Sequence, residues 1–222
     1  MPRAHFHRQL EELKDKLLAM AALSQQAVEY AVDAYLERDE KLVTFVRENE
    51  TAINMAQRHV DEMAYELLAK EQPMAIDLRF ILAVIKINAD LERIGDQSMA
   101  IARRAEDMTR APVADLPVDI AAMGLHATDM IRRAVQALIE ADAPLAESVR
   151  EMDDDIDQMN RAAHKDLIRV MQQSPEASLQ ALNAIITARN LERIADHATN
   201  IATDVIFWVR GADVRHQLAM AE

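Results

Sequence analysis

The sequence contains few of the residues that favour hairpins and strands, and none that form disulfide cross-links. It has no cysteine, three glycines and six prolines, and aromatic residues make up 4% of it. Without cysteine the chain can form neither disulfides nor thiolate metal sites, which fits a reducing compartment. Scarce glycine and aromatic residues disfavour hairpins and favour long helices. No apolar run approaches the roughly 20 residues that span a bilayer, and the N-terminus lacks the apolar stretch of a signal peptide. We therefore expect an all-α, cytoplasmic protein.

The charge is strongly acidic. Hydrophobic residues make up 50% of the chain, enough for a sizeable core, but 38 Asp and Glu against 25 Lys and Arg give a formal net charge of −13. A field of this sign repels a phosphate backbone, so we expect no nucleic-acid partner. The same excess of carboxylates is what a site for hard metal cations requires.

Hydrophobic residues at helical spacing, separated by turn signals, predict six helices. Their approximate limits are Phe6–Glu37, Lys41–Lys70, the stretch from after Pro73 to Thr109, Val118–Glu140, Leu145–Gln172, and the stretch from after Pro175 to Gly211. Two prolines mark a linker over 112–117, near the midpoint. We predict a first three-helix unit over 1–111, a second over 118–211 and a C-terminal tail over 212–222. Short connections imply antiparallel neighbours within each unit.

One motif occurs twice, over 90–102 and again over 190–202, and both copies contain Leu-Glu-Arg-Ile-Gly/Ala-Asp. Each copy places a Glu and an Asp four residues apart, which puts both carboxylates on one face of a helix, about one turn apart. The two pairs are Glu92 with Asp96 and Glu192 with Asp196. Both fall outside the apolar stripe of their helix, so we expect them on the outer surface.

An acidic pair at this spacing is usually ordinary solvated surface. Glu29 and Asp33 form such a pair, but Arg132 and Gln136 stand at the counterpart positions of the second unit. The motif pairs differ because both copies keep both acids, although like charges at this spacing cost a few tenths of a kcal/mol. This retention favours a bound cation or a cluster of hydrogen-bond donors that offsets the repulsion.

A further acidic residue precedes each motif helix, since Glu50 of the first unit aligns with Asp153 of the second. Each starts another pair at four-residue spacing, Glu50 with Asn54 and Asp153 with Asp157. We predict that antiparallel neighbouring helices bring these oxygens to the motif pairs and form a surface cage. Oxygen ligands suit Mg²⁺, Ca²⁺, Mn²⁺ or iron, and Zn²⁺ is possible.

Four side chains beside the motif acids are weaker candidates. His197 and Asn200 would add a nitrogen and an oxygen ligand near the second pair, although a lone surface histidine is more often not a ligand. Arg93 and Arg193 directly follow the glutamate of each copy. They are either ordinary solvated or ion-paired arginines, or they support a carboxylate or contact an anion beside the metal.

Three runs, over 72–79, 91–96 and 191–196, resemble signature sequences of the PhoU family, the accessory and regulatory proteins of bacterial phosphate-specific transport. The resemblance covers nearly the whole chain and implies two three-helix bundles related by pseudo-twofold symmetry. It also implies clusters of iron, zinc, manganese or magnesium on the paired acids. The family motif usually continues with His and Asn, but the first copy has Gln97 and Ala100 there. We therefore expect the first metal site to be the weaker one.

The same resemblance implies a negative regulator of the phosphate-starvation response that acts by contact with the phosphate transporter ATPase and a phosphate-sensing histidine kinase. We further expect a homodimer that reaches the membrane only through its partners. The alternative function is a metal-dependent phosphatase that uses the carboxylate clusters. We favour a non-enzymatic protein because the chain has no Glu-x-x-His pattern, no glycine-rich phosphate loop and no nucleophile elbow. A purely structural helical scaffold is a third interpretation, which the retained carboxylates disfavour.

Overall fold

A computed structural model of the chain describes residues 2–109 and 111–212. All regular structure in this part of the chain is helical, which confirms the predicted all-α class. The α-helices are α1 (Pro2–Glu37), α2 (Glu40–Glu71), α3 (Ile76–Met108), α4 (Ile120–Glu140), α5 (Ala143–Glu151), α6 (Asp153–Gln173) and α7 (Ser178–Arg210), and a 3₁₀ turn covers Pro175–Ala177. The tail that we predicted over 212–222 lies, apart from Ala212, outside the described residues.

The helices form two three-helix halves, as the sequence predicted. In the first half α1, α2 and α3 all pack against one another. In the second half α7 packs against α4, α5 and α6, so that α5 and α6 together take the place of the middle helix. Aspartates cap the starts of the middle helices, because Asp39 accepts from the Lys41 amide at 2.8 Å and Asp142 from the Leu145 amide at 2.9 Å.

The middle helix of the second half is interrupted, a feature that the prediction of one helix over 145–172 did not include. The helix begins at Ala143 and breaks at Met152, whose carbonyl oxygen accepts a bond from the Asp155 amide at 3.2 Å. The ring nitrogen Nε2 of His126 lies 3.0 Å from the same carbonyl oxygen. The first three residues of α6 are aspartates. Their carboxylates stabilise the start of this helix, because a helix N-terminus carries a partial positive charge.

The two halves meet along an antiparallel seam between α3 and α7. Three of the cross-seam contacts show the order: Phe80 with Trp208 at 5.0 Å between ring centroids, Lys86 Nζ with Asp204 Oδ1 at 3.0 Å, and His197 Nδ1 with Asp90 Oδ1 at 2.8 Å. Residues further along α3 therefore contact residues earlier in α7. This order brings the two motif copies side by side at the middle of the seam.

A second contact between the halves joins α1 and α4, where the helices approach closely at a glycine. A Cβ atom built on Gly124 would lie 2.8 Å from Val32 Cγ2 and 2.9 Å from Cγ1, so a larger residue has no room there. The buried apolar residues of all seven helices form one continuous cluster. The halves therefore share a single core, which fixes the position of α3 relative to α7.

Candidate metal centre beside the helix seam

Four carboxylates lie where α6 meets α7, and we call them the second acidic cluster: Asp153, Asp157, Glu192 and Asp196. Asp196 is exposed and the other three are partly buried. Asp153 accepts a hydrogen bond at 3.2 Å from the hydroxyl of Thr199, one turn beyond Asp196 on α7. The structure therefore brings both predicted pairs of the second half together.

The carboxylates of this cluster repel one another. Although Asp196 stays accessible to solvent, the protein around it displaces enough water to raise the pKa of its carboxyl to about 6, and the charges of Glu192, Asp153 and Asp157 add to the rise. Burial also raises the pKa values of Glu192 and Asp153, again with contributions from neighbouring carboxylates. A positive charge placed among these groups would relieve the repulsion and stabilise the ionised forms.

The corresponding first acidic cluster consists of Glu50, Asn54, Glu92 and Asp96, from α2 and α3. Asn54 Nδ2 donates to Glu50 Oε1 at 2.7 Å, so one carboxylate oxygen of this cluster already has a hydrogen-bond donor. Burial raises the pKa of Glu92, and the charges of Asp96 and Glu50 raise it further. The first cluster therefore has the same arrangement as the second but one carboxylate fewer.

The donor set suits a hard cation, because every side chain of the two clusters offers oxygen and neighbouring carboxylates raise one another's pKa values. Within residues 2–109 and 111–212, however, no group of three or more His, Asp and Glu side chains is oriented so that it could hold a metal ion. The side chains would have to rotate toward a common point to coordinate one. Metal ligation by these residues therefore stays a prediction.

His197 and Asn200 face the first half of the protein and not the acids of their own cluster. His197 Nδ1 lies 2.8 Å from Asp90 Oδ1, and Asn200 Nδ2 donates to the same oxygen at 3.4 Å. Both members of the His197–Asp90 pair are largely buried, with 14% and 13% of their side chains exposed. The imidazole thus ties α7 to α3 between the two acidic clusters.

Arg93 and Arg193 are exposed and line one open cavity of about 720 Å³ above the seam. The other residues that line it are Gln97, Asp153, Asp196, His197, Thr199 and Asn200. One arginine comes from each half, at equivalent positions of the two motif copies. Arg93 and Gln97 directly follow Glu92 and Asp96 on α3, so the first acidic cluster lies beside this cavity, and the second contributes Asp153 and Asp196 to its wall.

Sequence reasoning missed Asp90, Thr199 and the Lys86–Asp204 ion pair. Asp90 and Thr199 both lie inside the motif copies, so their position could have been noticed, but their counterparts Asn190 and Met99 have different chemistry. Asp204 lies one turn beyond Asn200, outside any repeated pattern. These residues act across the seam, and a comparison of one half with the other cannot reveal contacts between halves.

The fold and the acidic clusters together define a class of protein. Its members are tandem three-helix bundles, and the two helices at the seam between the bundles carry pairs of acidic residues. The PhoU domain model matches the chain twice, over residues 17–105 and 120–205. The chain therefore belongs to the PhoU family, which confirms the resemblance seen in the sequence.

Relatives named as phosphate-specific transport system accessory proteins align over most of the chain. The homologue from Pseudomonas aeruginosa is 40% identical over 95% of this chain and 88% of its own length. The Escherichia coli K12 protein is 29% identical over 95% of this chain and 88% of its own length. The crystal structure of PhoU from P. aeruginosa superposes with a TM-score of 0.89 at 38% identity, covering 93% of this chain and 100% of the other. The crystal structure of the phosphate transport system regulatory protein PhoU from Streptococcus pneumoniae superposes with a TM-score of 0.87 at 26% identity. The match covers 94% of this chain and 99% of the other.

Proposed function

We propose that this protein is a regulatory accessory component of a phosphate transport system. The observation that supports this most strongly is the double match to the PhoU domain, together with relatives that share 95% of the chain and carry that name. We further propose that it acts in the cytoplasm. None of the described helices is long and apolar enough to cross a membrane.

The protein regulates by contact in this proposal. Its acidic clusters lie on one face, on either side of a seam that relates the two halves by an approximate twofold axis. Such a face matches a symmetric partner, and the paired ATPase subunits of the transporter and a dimeric phosphate-sensing histidine kinase are the two partners we propose. The consequence is repression of the phosphate-starvation response when phosphate is plentiful. A homodimer would present this face twice.

Metal ions modulate that face in the same proposal. Glu192, Asp196, Asp153 and Asp157 would hold one ion or cluster, and Glu92, Asp96 and Glu50 would hold the other. Asn200 is a further ligand of the second site if its side chain turns away from Asp90. The candidates are iron, zinc, manganese and magnesium, each of which would replace repulsion between carboxylates with attraction. Metal occupancy would then set the charge that a partner meets.

A deletion strain tests the regulatory role. We expect phosphate-starvation genes to be expressed in phosphate-rich medium when the gene is deleted, and the wild-type gene on a plasmid to restore repression. Purified protein should retain the transporter ATPase or the kinase on an affinity column. Normal repression in the deletion strain, with neither partner retained, would reject the proposal in favour of a structural scaffold.

A phosphatase is the second candidate function, and one observation favours it: Asp196, whose pKa is raised to about 6, could exchange a proton near neutral pH. Arg93 and Arg193 border the same cavity and could contact a phosphoryl group. The test is phosphate release from p-nitrophenyl phosphate with each candidate metal. Turnover that disappears in Asp196→Asn would establish catalysis, and its absence at every metal supports action by contact.

A further inference from the structure

Each half of the protein exposes apolar side chains at matching positions, and we call the two groups the first and the second apolar patch. The first patch consists of Tyr65, Leu82 and Ile85, and the second of Ile168, Leu182 and Ile185. Tyr65 and Ile168 align in the register that also aligns Glu50 with Asp153, and the other positions align in the register of the two motif copies. The leucines are 38% and 45% exposed, and the isoleucines of α3 and α7 beside them are partly buried.

The patches differ from ordinary exposed apolar residues because the repeat retains them. Apolar residues scattered singly over a protein surface are common and need no special explanation. Phe45 and Met55 of α2 are exposed in this way, and Ser148 and Gln158 stand at their counterpart positions in the second half. In the two patches, by contrast, both halves keep a large apolar side chain at every position. This retention indicates that the exposed side chains have a common use.

Each patch lies about three helical turns from the acidic cluster of its own half. Tyr65 follows Asn54 by eleven residues on α2, and Ile85 precedes Asp96 by eleven residues on α3. Eleven residues complete almost three helical turns, so each patch residue lies on the same face of its helix as the cluster residue. Because α2 and α3 are antiparallel, both displacements run toward the same end of the half. The second patch has the same spacing from the second acidic cluster.

The two patches lie on the same side of the seam, toward its opposite ends. Leu82 precedes Arg93 by eleven residues, and Leu182 precedes Arg193 by the same number. The two arginines line one cavity, so the leucines on the same helix faces lie on the cavity side of the protein. A rise of about 1.5 Å per residue puts each leucine about 16 Å from its arginine, in opposite directions because α3 and α7 are antiparallel. The two leucines are therefore roughly 35 Å apart.

The size and the symmetry of the patches define the kind of partner they fit. Three partly exposed side chains provide far less than the roughly 800 Å² that each partner buries in a stable complex. One patch alone is therefore too small, whereas two patches contacted together are sufficient, because the second contact forms at a high effective concentration. Two equivalent patches match a partner of two identical subunits, since each subunit presents the same surface.

A second copy of this chain is a poorer match for the patches because of its charge. The carboxylates of the two acidic clusters lie on the same helices between the patches, and the whole chain has a formal net charge of −13. Two copies of this surface would place like charges opposite one another, which opposes association. A partner with basic residues between its two apolar contacts is attracted instead.

We propose that the two apolar patches together bind a protein of two identical subunits, with one subunit on each patch. Leu82 and Leu182 each pack into an apolar site of one subunit, and basic residues of the partner lie against the acidic clusters. The partner's two apolar sites are then also roughly 35 Å apart. This proposal rests on the proposed function and specifies the residues through which the protein contacts a symmetric partner.

Biolayer interferometry with the full-length protein tests the patches against two probes, the intact phosphate transporter and the intact phosphate-sensing kinase, each purified in detergent. We expect Leu82→Gln and Leu182→Gln each to weaken binding at least about tenfold, because either change removes the gain from simultaneous contact. The double variant should lose detectable binding. Unchanged affinity in the double variant, or an effect of one leucine only, overturns the proposal.

Met55→Gln is the matched control for these variants. It introduces the residue that stands at the counterpart position, and Met55 is exposed but belongs to neither patch. We expect its affinity to stay within about twofold of wild type. A loss equal to that of the leucine variants would mean that binding depends on exposed apolar area in general and not on the two patches.

Stoichiometry and self-association distinguish the remaining outcomes. Mass photometry of the complex should show one chain of this protein for every two partner subunits, and one chain for each subunit contradicts the proposal. The leucine variants should keep the wild-type Tm and oligomeric state, because the changed side chains are exposed. A lower oligomeric state in these variants would show that the patches bind a second copy. Wild-type protein that binds neither probe rejects the proposed function as well, whereas binding that survives in the double variant rejects the patches alone.

Discussion

His197 on α7 and Asp90 on α3 are joined by a contact of 2.8 Å between Nδ1 and Oδ1. Their side chains are 14% and 13% exposed, so this polar pair is mostly shielded from water. A shielded pair stabilises only while both members are present, because either one alone is a desolvated group without a partner. The contact is therefore specific to the seam and joins the two halves beside the acidic clusters.

We expect His197→Ala to lower the free energy of unfolding by about 1–2 kcal/mol, because Asp90 would keep only the 3.4 Å contact with Asn200. A double-mutant cycle with Asp90→Asn in urea denaturation measures the coupling, expected at about 1 kcal/mol. His59→Ala, an exposed histidine of α2, serves as control and should change stability little. Additive effects of the His197 and Asp90 changes would show that the pair does not stabilise the seam.

The raised pKa of Asp196 predicts how stability depends on pH. Its folded value is about 6, whereas a carboxylate in the unfolded chain titrates near pH 4. Between these values the native state binds more protons than the unfolded state, so the free energy of unfolding falls as pH rises through the window. In metal-free protein, Asp196→Asn should therefore raise Tm near neutral pH, and the gain should vanish below about pH 4.

The gain from Asp196→Asn should stay at about 1 kcal/mol or less, because Asp196 is accessible to solvent and its repulsion is screened. Asp33→Asn, at an exposed position of α1, is the matched control and should leave Tm unchanged at both pH values. Thermal denaturation followed by circular dichroism provides the measurement. A gain that persists in acid would mean that the effect is not electrostatic.

Removal of the second motif pair should lower metal binding without unfolding the protein. Glu192→Ala with Asp196→Ala removes two proposed ligands from the surface, and such positions contribute little to the core. The matched control is Glu29→Ala with Asp33→Ala, an exposed pair at the same spacing on α1. Equilibrium dialysis against Mn²⁺ with elemental analysis should show a loss in the first variant only. Unchanged stoichiometry in both would remove the motif pair from the ligand set.

The first pair should matter less for metal binding than the second. Glu92→Ala with Asp96→Ala removes ligands from a cluster that already has Asn54 in place of a carboxylate, and Asn54 Nδ2 donates to Glu50 Oε1. We therefore expect a smaller fall in bound Mn²⁺ than in the corresponding change at the second pair, in the same dialysis measurement. A larger fall would mean that the first cluster is the principal site.

The close approach of α1 and α4 predicts that Gly124→Ala is destabilising. The new Cβ would meet both methyl groups of Val32, at 2.8 and 2.9 Å, and valine has few alternative rotamers. We expect a loss of about 1–3 kcal/mol from this overpacking, even though alanine is the better helix former. Adding Val32→Ala should restore part of the loss, as measured by urea denaturation. Gly95→Ala is the comparison and should cost less: its Cβ would lie 3.0 Å from Ile53 Cδ1, the end of a flexible side chain that can rotate away, and 3.4 Å from Ile53 Cγ2.

The sequence by itself determined the helical class, the twofold repeat and the position of the motif acids. Periodic apolar residues can be buried only on one side of a helix, so Glu92, Asp96, Glu192 and Asp196 had to fall outside the core stripe. The repeat then required that each half place a second acidic residue, Glu50 or Asp153, on the preceding helix. These inferences needed no knowledge of how the halves are packed.

The tertiary structure alone decided what crosses between the halves. Asp90 and Lys86 contact residues more than 100 positions away, and neither half contains a pattern that specifies the partner. The contact at the Met152 break is likewise between helices, because His126 Nε2 of α4 lies 3.0 Å from the Met152 carbonyl oxygen. Local periodicity determines which side of a helix is buried, but the register of one helix against a distant one follows from packing of the whole core. That register aims His197 at Asp90, a result that could not be predicted from the order of the residues.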